Sequence, residues 1–222
     1  MKKLFSLTFI SCFTAAFSQM KEELLPSLIP QKIDGKAGYI NQEGKIVISP
    51  EYHIAMFFSE DCNILNSPSK NARVFGSAEY ATVEKNNISY RINKKGKRVY
   101  QYKNSDLGKC SQPYVMSKYK AFTLNGIYGL VSKENIDVGG YKDFDIYPQY
   151  QMLYVLESDR ENPMIIAVMN NKFGVVDKNN KIIIPFIYDD IKTNLSWKTA
   201  HLFEVSNDGK NYFYVDKNNK AY

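Results

Sequence analysis

Apolar residues along this chain come in short alternating runs, and the runs are broken by Asn, Asp and Gly rather than extended into helical stripes. That pattern predicts strands joined by tight turns. One unit recurs five times: YINQEGK at residues 39–45, RINKKGK at 91–97, LVSKEN at 130–135, VVDKNNK at 175–181 and YVDKNNK at 214–220. In each, a strand end is followed by Asn41, Asn93, Ser132, Asp177 or Asp216, and three positions later by Gly44, Gly96, Asn135, Asn180 or Asn219. The first residue can bond its own backbone two residues on, and the last tolerates the left-handed conformation, so the expectation is a bulged type I hairpin turn.

A second turn lies upstream at a nearly constant offset: Asp34-Gly35, Asn86-Asn87, Asn125-Gly126, Asn170-Asn171 and Asn207-Asp208-Gly209. Primed hairpin turns need positive φ at both central residues, which these residues supply. Each unit therefore reads as a three-stranded meander. The third strand is clearest at residues 45–49 and 181–184, followed by Pro50 or Pro185 and then Tyr52 or Tyr188; Pro148 and Tyr150 repeat the signal in the third copy. Proline lacks a ladder donor, so it is expected to end the pairing or mark an edge. Taking Gly38 as reference, the same position falls at Tyr90, Gly129, Gly174 and Phe213, in steps of 39 to 52 residues that fit loop insertions in a repeat array.

These copies resemble the repeat of the WG-repeat proteins, whose unit is an aromatic-Gly pair, an apolar pair, a polar turn with Gly and a hydrophobic strand ending in Pro-x-Tyr. Tyr128-Gly129-Leu130-Val131 and Phe173-Gly174-Val175-Val176-Asp177 look most like its first half, and residues 44–52 with Phe58-Ser59-Glu60 beyond look like its second. The likeness covers roughly residues 28–222. No copy keeps the defining Trp: Ala37, Tyr128 and Phe173 stand before Gly, and the second and fifth copies replace the Gly itself with Tyr90 and Phe213. The resemblance implies a β-rich repeat fold and a secreted setting, and no activity.

The expected fold is all-β: five antiparallel meanders near residues 28–52, 79–100, 118–150, 164–188 and 201–222, each burying an apolar face of its neighbour. The uneven steps favour an open, twisted, solenoid-like array, with propeller-like closure as the alternative. Strand position assigns Ile40, Val47, Val83, Ile92, Leu130, Ile166, Val175, Ile183, Val205 and Val215 to the core. Residues 100–116 are the weakest part of the array and read as a long loop.

At the N-terminus, Lys2 and Lys3 precede an apolar run at residues 4–17, and Ala16 and Ser18 suit a cut before Gln19. This is the pattern of a secretory signal peptide, too short to span a bilayer as a helix. Cys12 invites a lipoprotein reading, which the apolar residues after it disfavour. The expectation is an exported chain, periplasmic or extracellular, with residues 19–222 forming one repeat domain. Lys2 and Lys3 also supply two of the six net positive charges. The remaining Lys are spread over turns and strand ends, which argues against nucleic acid as a partner. No later apolar stretch reaches membrane-spanning length, so an integral membrane protein is not expected. Cys62 and Cys110 remain after cleavage in an oxidising compartment. A disulfide would close a long loop for roughly 4 kcal/mol before strain, and two buried free thiols are the alternative.

Candidate chemistry is thin. His53 and His201 are far apart in sequence, so there is no paired-ligand spacing for a metal, and no phosphate loop, nucleophile elbow, dinucleotide fingerprint or calcium loop occurs. No cofactor is expected. His53 with Glu51 and Glu60, or the neighbours Asp189 and Asp190, could form an acid-base group, but adjacent residues of a strand face opposite ways. The Tyr-Gly and Phe-Gly pairs read as core. Tyr52, Tyr150 and Tyr188, just past the third strands, are the candidate binding residues if their rings are exposed, although a packed ring with a wet hydroxyl is also common. Asn87-Ile88-Ser89 and Asn194-Leu195-Ser196 match the glycosylation sequon, the first within a turn and strand. The function expected is a non-enzymatic envelope binding module that takes a protein or a cell-envelope glycan. The alternatives are a hydrolase of envelope polymers and a scaffold that self-associates through edge strands.

Overall fold

The computed structural model describes residues 25–59, 67–74, 78–106, 117–137, 144–156 and 158–222. The signal peptide expected at residues 1–18, Glu60, and the cysteines Cys62 and Cys110 lie outside the described residues.

Seventeen described strands form five small antiparallel sheets, one per copy, and no closed barrel. The first sheet holds β1 (Ile29–Ile33), β2 (Lys36–Ile40) and β3 (Ile46–Tyr52). The second holds β4 (Ile54–Ala55), β5 (Tyr80–Lys85), β6 (Ile88–Asn93) and β7 (Arg98–Gln101). The third holds β8 (Tyr119–Leu124), β9 (Ile127–Ser132) and β10 (Ile146–Tyr150). The fourth runs β11 (Met152–Val155), β12 (Ile165–Met169), β13 (Lys172–Val176) and β14 (Ile182–Tyr188). The fifth is β15 (Asp190–Ile191), β16 (Phe203–Ser206) and β17 (Tyr212–Val215).

Both sets of expected turns form, with one exception in each. Asp34-Gly35, Asn86-Asn87, Asn125-Gly126 and Asn170-Asn171 all have positive φ at both residues, as a primed turn requires. In the fifth copy a five-residue loop replaces the primed turn; only Gly209 is left-handed, and Asp208 Oδ1 accepts the N–H groups of Lys210 and Asn211 at 2.8 and 2.7 Å. The bulged turn is nearly identical in four copies. Asn41, Asn93, Asp177 and Asp216 each accept two backbone N–H groups through the side-chain oxygen, at 2.8 to 3.1 Å. Gly44, Gly96, Asn180 and Asn219 then take left-handed φ of 61° to 79°. The third copy departs: Ser132 leads into a short helix, Lys133–Asp137, and Asn135 is not left-handed. The Ser132 N–H instead donates to Asp145 Oδ2 at 2.6 Å, so the anchoring carboxylate comes from across an insertion rather than from the turn's first residue.

Proline does not end the third strand. Pro50, Pro148 and Pro185 lie inside β3, β10 and β14, at a wide irregularity in the ladder. Ala37 pairs with Tyr52 and Tyr39 with Ile48, so two steps on β2 oppose four on β3. Phe173–Tyr188 with Val175–Ile184, and Leu130–Ile146 with Tyr128–Tyr150, repeat the same excess. The residue lacking an N–H sits where the chain bows away from its neighbour and no donor is needed. The bow also explains the facing glycine. A Cβ on Gly38 would lie 2.5 Å from the Ile48 carbonyl and 2.7 Å from Pro50 N, and one on Gly129 would lie 2.5 Å from the Ile146 carbonyl and 2.8 Å from Pro148 N. In the second copy, Tyr90 fills the glycine position, no proline is present, and the third strand shifts by a single residue. Glycine and bulge go together.

The bulge also corrects two core assignments. Val47 is exposed and Ile183 is only half-buried, whereas Ile48 and Ile184 are buried in their place. An irregularity next to the turn flips the parity of the strand, so the inward set moves by one residue. The other eight assigned core residues are buried.

A fourth strand, which the meander pattern does not include, joins the copies. After its tyrosine, the third strand of the first, third and fourth copies crosses to the sheet of the next copy: β4 pairs with β5, β11 with β12 and β15 with β16. Apolar clusters then fill the junctions. Tyr39, Ile48 and Tyr52 pack with Ala81, Val83 and Ile92; Leu130, Ile146 and Tyr150 with Leu153, Ile165 and Val176; Ile166, Val175 and Tyr188 with Trp197, Phe203 and Val215. A fourth cluster joins the last copy to the first, through Ile29, Ile40, Ala200 and Leu202. No such cluster joins the second and third copies among the described residues. Through these four clusters the copies follow one another as three, four, five, one and two, so the first and last copies of the repeat sequence are neighbours in space.

Replacing Gly38 by Ala is expected to cost at least about 2 kcal/mol, because backbone rather than a flexible side chain must give way. Gly209→Asn, left-handed but with open space around it, should stay within about 1 kcal/mol. Urea midpoints of the two variants check both values.

Candidate functional site

The tyrosines offered as exposed binding residues are buried. Tyr52, Tyr150 and Tyr188 retain 1%, 2% and 4% of their accessible surface, so their rings present no free face for stacking. The physical reason is the crossing strand: the residue just past the bulge points into the junction, where an aromatic ring fills the space between two sheets. Their hydroxyls hold the copies together. Tyr150 donates to Asn180 Oδ1 at 2.6 Å and Tyr188 to Asn219 Oδ1 at 2.7 Å, in each case reaching the left-handed asparagine of the next copy's bulged turn. At the first junction the equivalent turn residue is Gly96, which packs against Ile48. There Tyr52 lies beside Glu51, and burial followed by that carboxylate pushes its phenol up to about 12. Glu51 in turn is held below the usual carboxylate range, chiefly by Lys85 Nζ at 2.6 Å.

The acid-base groupings do not assemble. His53 is exposed, while Glu51 faces Lys85 and Arg98. His201 closes the short helix Ser196–Ala200 in the left-handed conformation, with its N–H on the Trp197 carbonyl at 2.9 Å and its ring edge-on to Trp197. Asp189 pairs with Lys172, while Asp190 accepts the Tyr212 hydroxyl and lies 3.3 Å from Lys192, so the two neighbours have separate partners, as strand geometry requires. Among the described residues no three His, Cys, Asp or Glu side chains gather as a metal set.

What the structure does bring together is a groove of about 1030 Å³ between the first and last copies. One wall is β1 with its Asp34-Gly35 turn, contributing Pro30, Gln31 and Lys32; the other is β17 with the loop before it, contributing Lys210, Asn211, Tyr212, Phe213 and Tyr214. His53 and Ile54, at the start of the second sheet, and Glu204 on β16 complete it. Lys32 and Lys210 set two cations against the carboxylates of Asp34 and Glu204, the latter accepting from Asn194 Nδ2 at 2.6 Å. Tyr214 of the lining also packs against the cluster of Ile29, Ile40, Ala200 and Leu202, with Phe57 edge-on to it at 5.1 Å between ring centres. Burial pushes the Tyr214 phenol well above its ordinary value. The site offers charges of both signs, amide and phenol groups and apolar side chains such as Ile54 and Phe213, which suits recognition of a polar, extended ligand. Of its residues the sequence reading singled out only His53; the rest belong to turns and strand ends that become neighbours when copies one and five meet.

Tyr188→Phe is expected to cost about 1 kcal/mol, and almost nothing in an Asn219→Gly background, where the turn keeps its conformation and loses the acceptor. A double-mutant cycle in urea measures this coupling. Tyr39, whose hydroxyl donates to the Met56 carbonyl at 2.7 Å, is pushed far above the ordinary tyrosine value, by burial first. A raised folded value favours the neutral phenol, so this stability is complete below about pH 10, where unfolded tyrosine ionises, and is lost as pH rises beyond it. Urea midpoints should therefore fall from pH 10 upward, less steeply in Tyr39→Phe.

The family described as "WG containing repeat" matches the chain at residues 38–62 and 173–194, the first and fourth copies. Comparison with curated proteins and with solved structures gave no match. Each matched stretch spans the bulge, the tyrosine and the crossing strand that build the junctions, so the likeness to the WG containing repeat rests on the segments that hold the copies together.

Proposed function

We propose that this protein is an exported, non-enzymatic binding module of the cell envelope, and that it binds in the groove between its first and last copies. The observation that carries this reading is the groove itself: the contact between the copies places Lys32, Asp34, His53, Glu204 and Lys210 around one opening with the apolar side chains of Ile54 and Phe213. Repeat folds present extended surfaces rather than deep catalytic pockets, and the meeting of two terminal copies makes a cleft that neither has alone. Export rests on Lys2, Lys3 and the apolar run that follows them. No helix among the described residues is long and apolar enough to cross a membrane.

The test is retention of the purified protein on peptidoglycan and on a panel of envelope polysaccharides, with capture from an envelope extract in parallel. Charge reversal at Lys32 and Lys210, both exposed and outside the apolar clusters, should lower retention at least about tenfold at unchanged thermal midpoint. Shortening of the panel polymers without retention would instead support a hydrolase. Retention that ignores both substitutions would place binding elsewhere.

A further inference from the structure

At three edges the fold fills a position that is open at β1. In the second, fourth and fifth copies the first hairpin strand, β5, β12 or β16, receives on its outer side the crossing strand of another copy. The bonds that seat it follow one scheme. His53 and Met56 N–H donate to the carbonyls of Glu84 and Thr82, Gln151 N–H to that of Val168, and Asp189 and Lys192 N–H to those of Ser206 and Glu204. Glu84 and Thr82 stand two and four residues before the first residue of their primed turn, and Val168 two before its own. Counting back from Asp34, the same outward carbonyls in the first copy belong to Lys32 and Pro30, and both residues line the groove. Among the described residues β1 pairs only with β2.

The opposite wall is incomplete in the matching way. In the first, third and fourth copies the central strand is covered by a third strand that bows around the glycine and continues across the junction. Beside β17 the described chain makes one bridge, Val215 to Ala221, and Tyr212 and Phe213 lack that neighbour. One linking segment would satisfy both walls, because in the other junctions a single segment finishes one sheet and opens the next. Those segments share a pattern. Tyr52, Tyr150 and Tyr188 are each followed three residues later by an apolar residue that turns inward, Ala55, Leu153 or Ile191, and preceded by an apolar strand with proline.

We propose that the groove between β1 and β17 binds, in trans, an extended segment of a partner polypeptide, antiparallel to β1 and carrying an apolar strand with proline followed by Tyr-x-x-aliphatic. This inference rests on the binding-module reading and gives its partner a chemical class. Strand addition of this kind takes affinity from main-chain bonds and specificity from alternate side chains. Pro30 fits the role: it keeps the carbonyl that accepts from an incoming strand, as Thr82 does, and lacks the N–H that would let the edge pair with any passing strand. Lys32 and Lys210 would face acidic residues beside the tyrosine, such as the two that follow Tyr188 in the chain's own segment.

The experiment is titration of the purified protein with a fluorescent peptide of residues 181–192 bearing a lysine tail, read by anisotropy and by hydrogen exchange. Saturable binding at least about tenfold tighter than that of a scrambled peptide, and of forms with Tyr188→Ala or Ile191→Asp, is expected. It should bring new amide protection at Lys32 and Tyr212, and fall at least about tenfold in a Lys32→Pro protein whose thermal midpoint is unchanged. If Lys32→Pro does not fold, Tyr212→Pro on the facing strand takes its place. No saturable binding, equal binding of the scrambled peptide, or protection confined to other sheets would overturn the proposal. Glycan retention that still depends on Lys32 and Lys210 while the peptide fails would sink strand addition and leave the binding-module reading standing.

Discussion

The structure depends on one segment type, the linking strand that finishes one sheet, bows at a proline, buries a tyrosine and opens the next sheet. A three-stranded meander of this size cannot hold a core alone. Stability has to come from the junctions, and each junction is built from the same parts: main-chain bonds to the next sheet, an aromatic ring between sheets and an apolar cluster on either side. Where the turn residue is asparagine the tyrosine hydroxyl finds a side-chain acceptor, as at Asn180 and Asn219. Where it is Gly96, Ile48 packs on the turn instead and Tyr52 turns to Glu51.

The glycine that gives the repeat its aromatic-Gly signature follows from that segment. The bow carries carbonyl and proline atoms across the facing strand, to within 2.5 to 2.8 Å of where a Cβ would stand on Gly38 or Gly129, and so excludes any side chain there. The second copy shows the converse within the same molecule, since Tyr90 is accommodated where proline and the wide bulge are absent. Both features answer to one steric constraint, and losing either removes the need for the other.

The proposed binding surface lies where the linking scheme is interrupted. Among the described residues three junctions are closed by a strand; the meeting of the first and last copies is not, and there the charged groups of turns and loop gather around a cleft. The tyrosines that looked available for ligands are spent on holding copies together, and the surface left for recognition is made of edge backbone and charged turn residues.

Local chemistry was legible along the chain. Asn and Gly at fixed offsets specify the primed and bulged turns, because left-handed backbone is a property of single residues, and four of five copies obey in each set. The all-β repeat class followed from those turns. Burial of Ile48 and Ile184 in place of Val47 and Ile183 was not legible, since a bulge reverses strand parity without changing composition. Nor was the crossing strand, whose partner sheet lies in another copy. The placement of Lys32 opposite Lys210 and Tyr212 was decided by tertiary structure alone: it depends on copies one and five meeting through Ile29, Ile40, Ala200 and Leu202, a contact between residues far apart in the chain that no local pattern encodes.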